Sequence, residues 1–167
     1  MRWDRLFADL EGQAADLELE ERDALVDELR DGAWAETSWR DVVGGHVVLE
    51  VTGIGRVEGE ARLVNETVVH VESERVEHIV ARLAVLEVVS SERRAVPATP
   101  VTRRLGWGHV LRAARDDGDR TRLTRTDGTT VDGTVDVVGR DFVRVRSGAR
   151  THTVPFAAIA ALTLSAT

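Results

Sequence analysis

The sequence predicts a mostly β protein in which an N-terminal helix is followed by two five-stranded antiparallel barrels, each preceded by a short helix. Three observations point there. At the start of the chain apolar residues recur at three- and four-residue steps, the spacing of one helical face. From Val47 onward they alternate with polar residues between Gly, Asn and Asp turn signals, as half-buried strands do. The second half of the chain then repeats the first at a constant offset.

The opening helix carries its stripe on Trp3, Leu6, Phe7, Leu10, Ala14 and Leu17, continued by Leu25 and Leu29. Gly32 follows Arg30 and Asp31 as a C-cap, which bounds an acidic amphipathic helix at residues 1–32. Trp3, Leu6, Phe7 and Leu10 are its candidate interaction face. That stripe either packs on the chain's own β structure or meets another helix, and it is too short for a coiled coil. A short helix is expected over Ser38–Val43, with Ser38-x-x-Asp41 as a capping box, and Gly44-Gly45 ends it. The first barrel with this helix then spans 36–90. Val47, Leu49 and Val51 read as one strand and Val69 and Val71 as another, with turns at Gly53-Ile54-Gly55, Asn65-Glu66 and Glu74-Arg75. A linker at 91–104 contains Pro97 and Pro100. The second barrel occupies 105–167, led by a helix over Trp107–Ala114.

The repeat supports that division. Shifted by 74 positions, the pairs from His46 to Ser90 align without a gap and include 11 identities in 45. Leu49 meets Leu123, Gly59 meets Gly133, Val71 meets Val145, His78 meets His152 and Ala84 meets Ala158. The identities keep the order of strands and turns, which shared valine content alone would not produce.

In the second copy the series Leu123, Asp127-Gly128-Thr129, Val131, Gly133, Val135, Val138, Asp141-Phe142-Val143 and Val145 resembles the first motif of the Sm-like and Hfq families. Asp127-Gly128 suits a tight hairpin, and Gly133 suits the sharp bend of a long second strand. The resemblance implies two Sm-like, SH3-type small barrels, assembly through strand edges, and RNA binding. It is weaker in the first copy, where Thr67 replaces the motif aspartate. The family's RNA pocket is not carried over. Phe142-Val143 stands where a polar residue is expected, and Val154-Pro155-Phe156 and Val80-Ala81-Arg82 replace the basic pair of the second motif. The opening Arg2-Trp3-Asp4-Arg5-Leu6-Phe7 also resembles a family of uncharacterised proteins from high-GC Gram-positive bacteria (actinobacteria), some labelled as Fis-type regulators. No helix-turn-helix pattern accompanies it.

Composition excludes several functions. Hydrophobic content of 43% with 31% charged residues is that of a folded domain, and no apolar run is long enough to cross a bilayer. No apolar leader follows Met1, so a cytoplasmic protein is expected. Without cysteine there are no disulfides, thiolate sites or cysteine nucleophiles, and the sequon at Asn65 reads as chance. All 22 basic residues are arginine, a bias that a GC-rich genome produces. The net charge of −7 is uneven: residues 1–41 carry −8, 42–91 carry −4, and 92–167 carry +5.

No catalytic constellation emerges, and an enzyme is not expected. Gly53-Ile54-Gly55-Arg56-Val57-Glu58-Gly59 approximates a dinucleotide fingerprint, but its third glycine is one position late and it leads into a strand. His70 and His78 could face each other across a hairpin near Glu72 and Glu77, yet no third metal ligand is spaced to join them. Neither a cofactor nor a metal is expected. The remaining candidates are Arg120, Arg122, Arg140, Arg144, Arg146 and Arg150, which could track a polyanion, with Arg93, Arg94, Arg103 and Arg104 beside the linker. The expected function is therefore a non-enzymatic adapter acting through another protein or its own copies, and the alternative is RNA binding by the arginine face of the second barrel. Pro155 cannot donate a ladder hydrogen bond, which places its strand at an edge and favours a monomer or homodimer over a closed ring.

Overall fold

The computed structural model describes residues 19, 21–92, 96–97 and 99–165, and the chain divides into two units, Met1–Ser38 and Trp39–Thr167. In the first unit, residues 21–35 form a helix, α1. It continues through Gly32, the expected C-cap, which does not enter the left-handed region. Ala33, Trp34 and Ala35 extend it, and Thr37 closes it instead, donating from Oγ1 to the Ala33 carbonyl (2.8 Å) and from its amide to Trp34 (3.1 Å). Trp3, Leu6, Phe7 and Leu10 lie outside the described residues.

The second unit is built from ten strands. Its first half holds β1 (Gly44–Val51), β2 (Gly55–Val64), β3 (Val68–Glu72), β4 (Val76–Ala81) and β5 (Val85–Glu92). A helix, α2 (Trp107–Asp117), precedes β6 (Arg120–Arg125), β7 (Thr130–Val138), β8 (Phe142–Ser147), β9 (Arg150–Pro155) and β10 (Ile159–Ser165). The repeat extends to fine detail. Three-residue 3₁₀ turns at Arg82–Ala84 and Phe156–Ala158 stand 74 residues apart, as do the register shifts at Ala61/Leu63 in β2 and Val135/Val137 in β7. The amide of Thr52 donates to Ala84 just as that of Thr126 donates to Ala158.

Two expectations are overturned. The strands do not close into two separate five-stranded barrels; they form one open antiparallel sheet in the order β5-β1-β2-β3-β4-β10-β6-β7-β8-β9. Nor is each half preceded by a helix: only a 3₁₀ turn, Trp39–Asp41, precedes β1, and Val43 enters the core instead of continuing a helix over Ser38–Val43. The physical reason for the continuous sheet is the strand order of each half. Taken alone, either half has its fourth and fifth strands as unpaired edges, which expose ladder donors and acceptors. The last strand of the second half fills one such edge, pairing β10 with β4 from Ala161↔Val80 to Ser165↔Val76 while its other side pairs with β6.

The packing follows the same exchange. One core gathers Val47, Leu49, Val57, Val69, Val71 and Val80 from the first half, together with Ala160 and Ala161 of β10. The other gathers Leu111, Leu123, Val143, Val145 and Leu162 with Val68 and Ile79 of the first half. Each half therefore buries side chains of the other, at about 1.5–3 kcal/mol for a fully buried aliphatic residue. The α2 helix presents Trp107, Leu111 and Ala114 to the second core, one face at four- and three-residue steps, and packs against β7. Gly118, at φ +71°, ends it.

Two glycines set how closely the strands approach. A side chain at Gly59 would collide with the Glu72 carbonyl on β3, and one at its counterpart Gly133 with the Arg146 carbonyl on β8. Gly59→Ala and Gly133→Ala should each lower unfolding stability by about 1–3 kcal/mol through overpacking, read from urea denaturation midpoints. Gly32→Ala, inside α1 with open space around it, should be neutral or stabilising by up to about 1 kcal/mol.

Candidate functional site

The strands of the second half do place an arginine face as alternation requires. Arg120 and Arg122 on β6 alternate with buried Thr121 and Leu123, and Arg144 and Arg146 on β8 alternate with buried Val143 and Val145. Cross-strand register sets Arg120 opposite Thr134, and Thr134 opposite Arg146. Carboxylates interleave the face. Arg122 Nε contacts Asp132 Oδ1 at 2.8 Å, while Arg144 and Arg146 converge on Asp136 at 3.9 and 3.3 Å. Arg140 lies apart in the β7–β8 turn and Arg150 at the start of β9, both exposed. Phe142 continues the arginine side of β8 and lies half-buried over Gly139. Arg93 and Arg94 lie outside the described residues.

The histidines do not form a pair. His70 is opposite Ile79 and His78 is opposite Val71, which puts the two imidazoles on opposite faces of the β3–β4 ladder. His70 Nε2 lies 3.3 Å from Glu77 Oε2, and no cluster of three metal-ligating side chains occurs among the described residues. Gly53-Ile54-Gly55 is a turn between strands, with Gly53 and Gly55 both at positive φ, and offers no helix N-terminus to a phosphate.

His78 sits at the junction of the halves, its Nδ1 hydrogen bonded to Thr163 Oγ1 on β10 at 3.1 Å. Burial pushes its pKa down from the usual 6.5. The unfolded chain therefore takes up this proton first as pH falls, so stability should decline from about pH 6.5 downward and level off below the folded-state value. The carboxylates of Glu58, Glu66 and Asp127, all held below the usual range by hydrogen bonds from Arg56, Arg40 and Thr129 respectively, weaken the fold only in a more acidic window. A pH series of thermal melts should show the histidine step in the wild type and lose it in His78→Gln. An unchanged step in that variant would assign it to another group.

The two ends of the sheet differ. Among the described residues β9 pairs only with β8, and it presents exposed Arg150, Thr151, Thr153 and Pro155, with Pro155 at an edge as its missing N–H requires. Among the described residues β5 pairs only with β1, and it exposes Leu86 and Val89, with Leu83 in the turn before it. Leu86 is 73% exposed and occupies a register shift between Val51↔Val85 and Glu50↔Glu87. Its repeat counterpart, Ala160, occupies the same shift in β10 but is wholly buried in the core of the neighbouring half. Hydropathy alternation had not singled out Leu83, Leu86 or Val89; setting β5 over β10 in the repeat would have done so.

No family model matches the chain, and no curated protein does.

Proposed function

We propose that this chain is a non-enzymatic binding protein that assembles head to tail with its own copies, the β5 edge of one receiving the β9 edge of the next. The observation that carries this reading is Leu86. In β10 the equivalent side chain is buried because β4 and its half lie alongside; in β5 the same position carries a larger apolar residue with nothing beside it among the described residues. An exposed apolar strand edge of this kind is a template for another strand.

The strand that fits is β9, the repeat counterpart of β4. Transferred to it, the β4–β10 register sets Val154 opposite Glu87, His152 opposite Val89 and Arg150 opposite Ser91. Pro155 corresponds to Ala81, which lies one residue beyond the last pair of the β4–β10 ladder, so its missing amide is no obstacle to this pairing. Charge favours the same direction: β5 belongs to a segment of net −4 and β9 to one of net +5. A heterologous contact of this type runs on or closes into a ring, unlike the monomer or dimer that Pro155 suggested. RNA binding by the arginine face has less support, since Asp132 and Asp136 pair three of its six arginines.

Light scattering tests this directly. The wild type should exceed its 18.3 kDa monomer mass and grow with concentration. Leu86→Lys with Val89→Lys should be monomeric, with a stability change within about 0.5 kcal/mol per exposed site. A wild type that stays monomeric at its highest soluble concentration would remove the proposal.

A further inference from the structure

A cavity of about 690 Å³ opens between the Trp39–Asp41 turn, the β2–β3 turn and the linker before α2. Arg40, Arg103 and Arg104 line it, with Asp41 and Glu66 as the opposing carboxylates, so the wall carries one surplus positive charge. Arg82 adds another from beside it, its Nε donating to the Glu66 carbonyl at 2.8 Å.

The guanidinium groups are not equivalent. Arg40 Nη1 donates to Glu66 Oε1 at 2.5 Å, and its Nε lies 3.7 Å from Asp41 Oδ1. The Arg103 and Arg104 side chains have no hydrogen bond or ion pair among the described residues and are exposed. The backbone turn that carries them is nonetheless held in place. Asn65, 3% exposed, donates from Nδ2 to the carbonyls of Thr102 and Leu105, both at 2.9 Å. Its Oδ1 accepts from the amides of Thr67 (2.8 Å) and Val68 (2.9 Å). All four hydrogen-bonding sites of its side chain are thus spent tying the 3₁₀ turn Thr102–Arg104 to the turn that carries Glu66. The other half has Gly139 at this position and no such tie.

We propose that this cavity is a binding site for a small multiply charged phosphate, with Arg103, Arg104 and Arg40 as its ligands and Asn65 as the positioning residue. The volume lies in the range of small-molecule sites, about 300–1,000 Å³. Planar guanidinium forks match phosphate oxygens bidentately, and two of these forks have no competing partner. No aromatic ring among the described residues lines the cavity, so recognition rests on the phosphates and not on a base. Glu66, 72% exposed on its side chain, is the resident counter-charge that the ligand displaces from Arg40.

Calorimetric titration with pyrophosphate and with tripolyphosphate is the test. Saturable one-site binding that weakens with salt is expected, reduced about tenfold or more by Arg103→Glu with Arg104→Glu. Glu66→Gln should bind more tightly than the wild type, a gain that a damaged fold would not give. Asn65→Asp, which loses the two donors to Thr102 and Leu105, should weaken binding while Arg112→Glu, on the exposed side of α2, leaves it unchanged. An RNA oligomer with a 5′-triphosphate should compete with tripolyphosphate if the source is a nucleic-acid end, and only the free anion should bind if it is a metabolite. Either result supports the site. Flat titrations, or affinity retained without Arg103 and Arg104, would overturn it.

Discussion

Every strand of a sheet has two edges, and the ladder between β4 and β10 is how this chain satisfies two of them at once. Each half orders its strands so that the fourth and fifth are outermost, and neither half can pair these with each other within the observed sheet. Placing β10 between β4 and β6 buries Ala160, Ala161 and Leu162 and commits His78 and Thr163 to one hydrogen bond. It also makes the halves interdependent, because the side chains of β10 divide between the two cores. Losing that ladder would expose apolar surface on both sides, and Trp39–Thr167 is one compact unit and not two domains on a string.

The close approaches elsewhere follow from this junction. The β1–β2 turn of the first half comes up against the β6–β7 turn of the second, so closely that a side chain at Gly53 would stand 2.5 Å from the Arg125 carbonyl. Gly53 and Gly128, both near φ +81°, supply turns compact enough to meet there. Asp127 stiffens the second turn by accepting from the Thr129 amide at 3.0 Å and from its hydroxyl. Gly59 and Gly133 do the corresponding work within each half.

What the sequence made legible was local. Alternation located the strands through Val47–Val51 and Val69–Val71, the helix expected over Trp107–Ala114 ahead of the second copy is α2, and the 74-residue offset carried over to turns and register shifts. The joining of the halves was not legible, because strand pairing between β4 and β10 depends on which edges are left over, and no periodicity records that. The same holds for the candidate sites. The arginine face could be read from alternation, but its neutralisation by Asp132 and Asp136 required the β6–β7–β8 register. Asn65 looked like a turn residue, and its side chain proved to be a buried anchor for a segment some 40 residues away.

Where the two halves agree, the residues answer to the fold: Gly59 with Gly133, Val71 with Val145, Ala84 with Ala158. Where they differ at equivalent positions, the fold does not dictate the choice, and the reason has to lie in what each half meets. Ala160 is small because a neighbouring half already fills the space around it, whereas Leu86 is large where no neighbour is present among the described residues. A purely solvated position would favour a polar side chain, since burying leucine is worth about 1.5–3 kcal/mol and exposing it gains nothing. Gly139 needs only to clear the ring of Phe142, whereas Asn65 organises two carbonyls and two amides to hold the turn that carries Arg103 and Arg104. The divergent positions thus separate two tasks, one at the sheet edge and one at the turn. Both fall in the first half, whose β5 is an end strand of the sheet among the described residues.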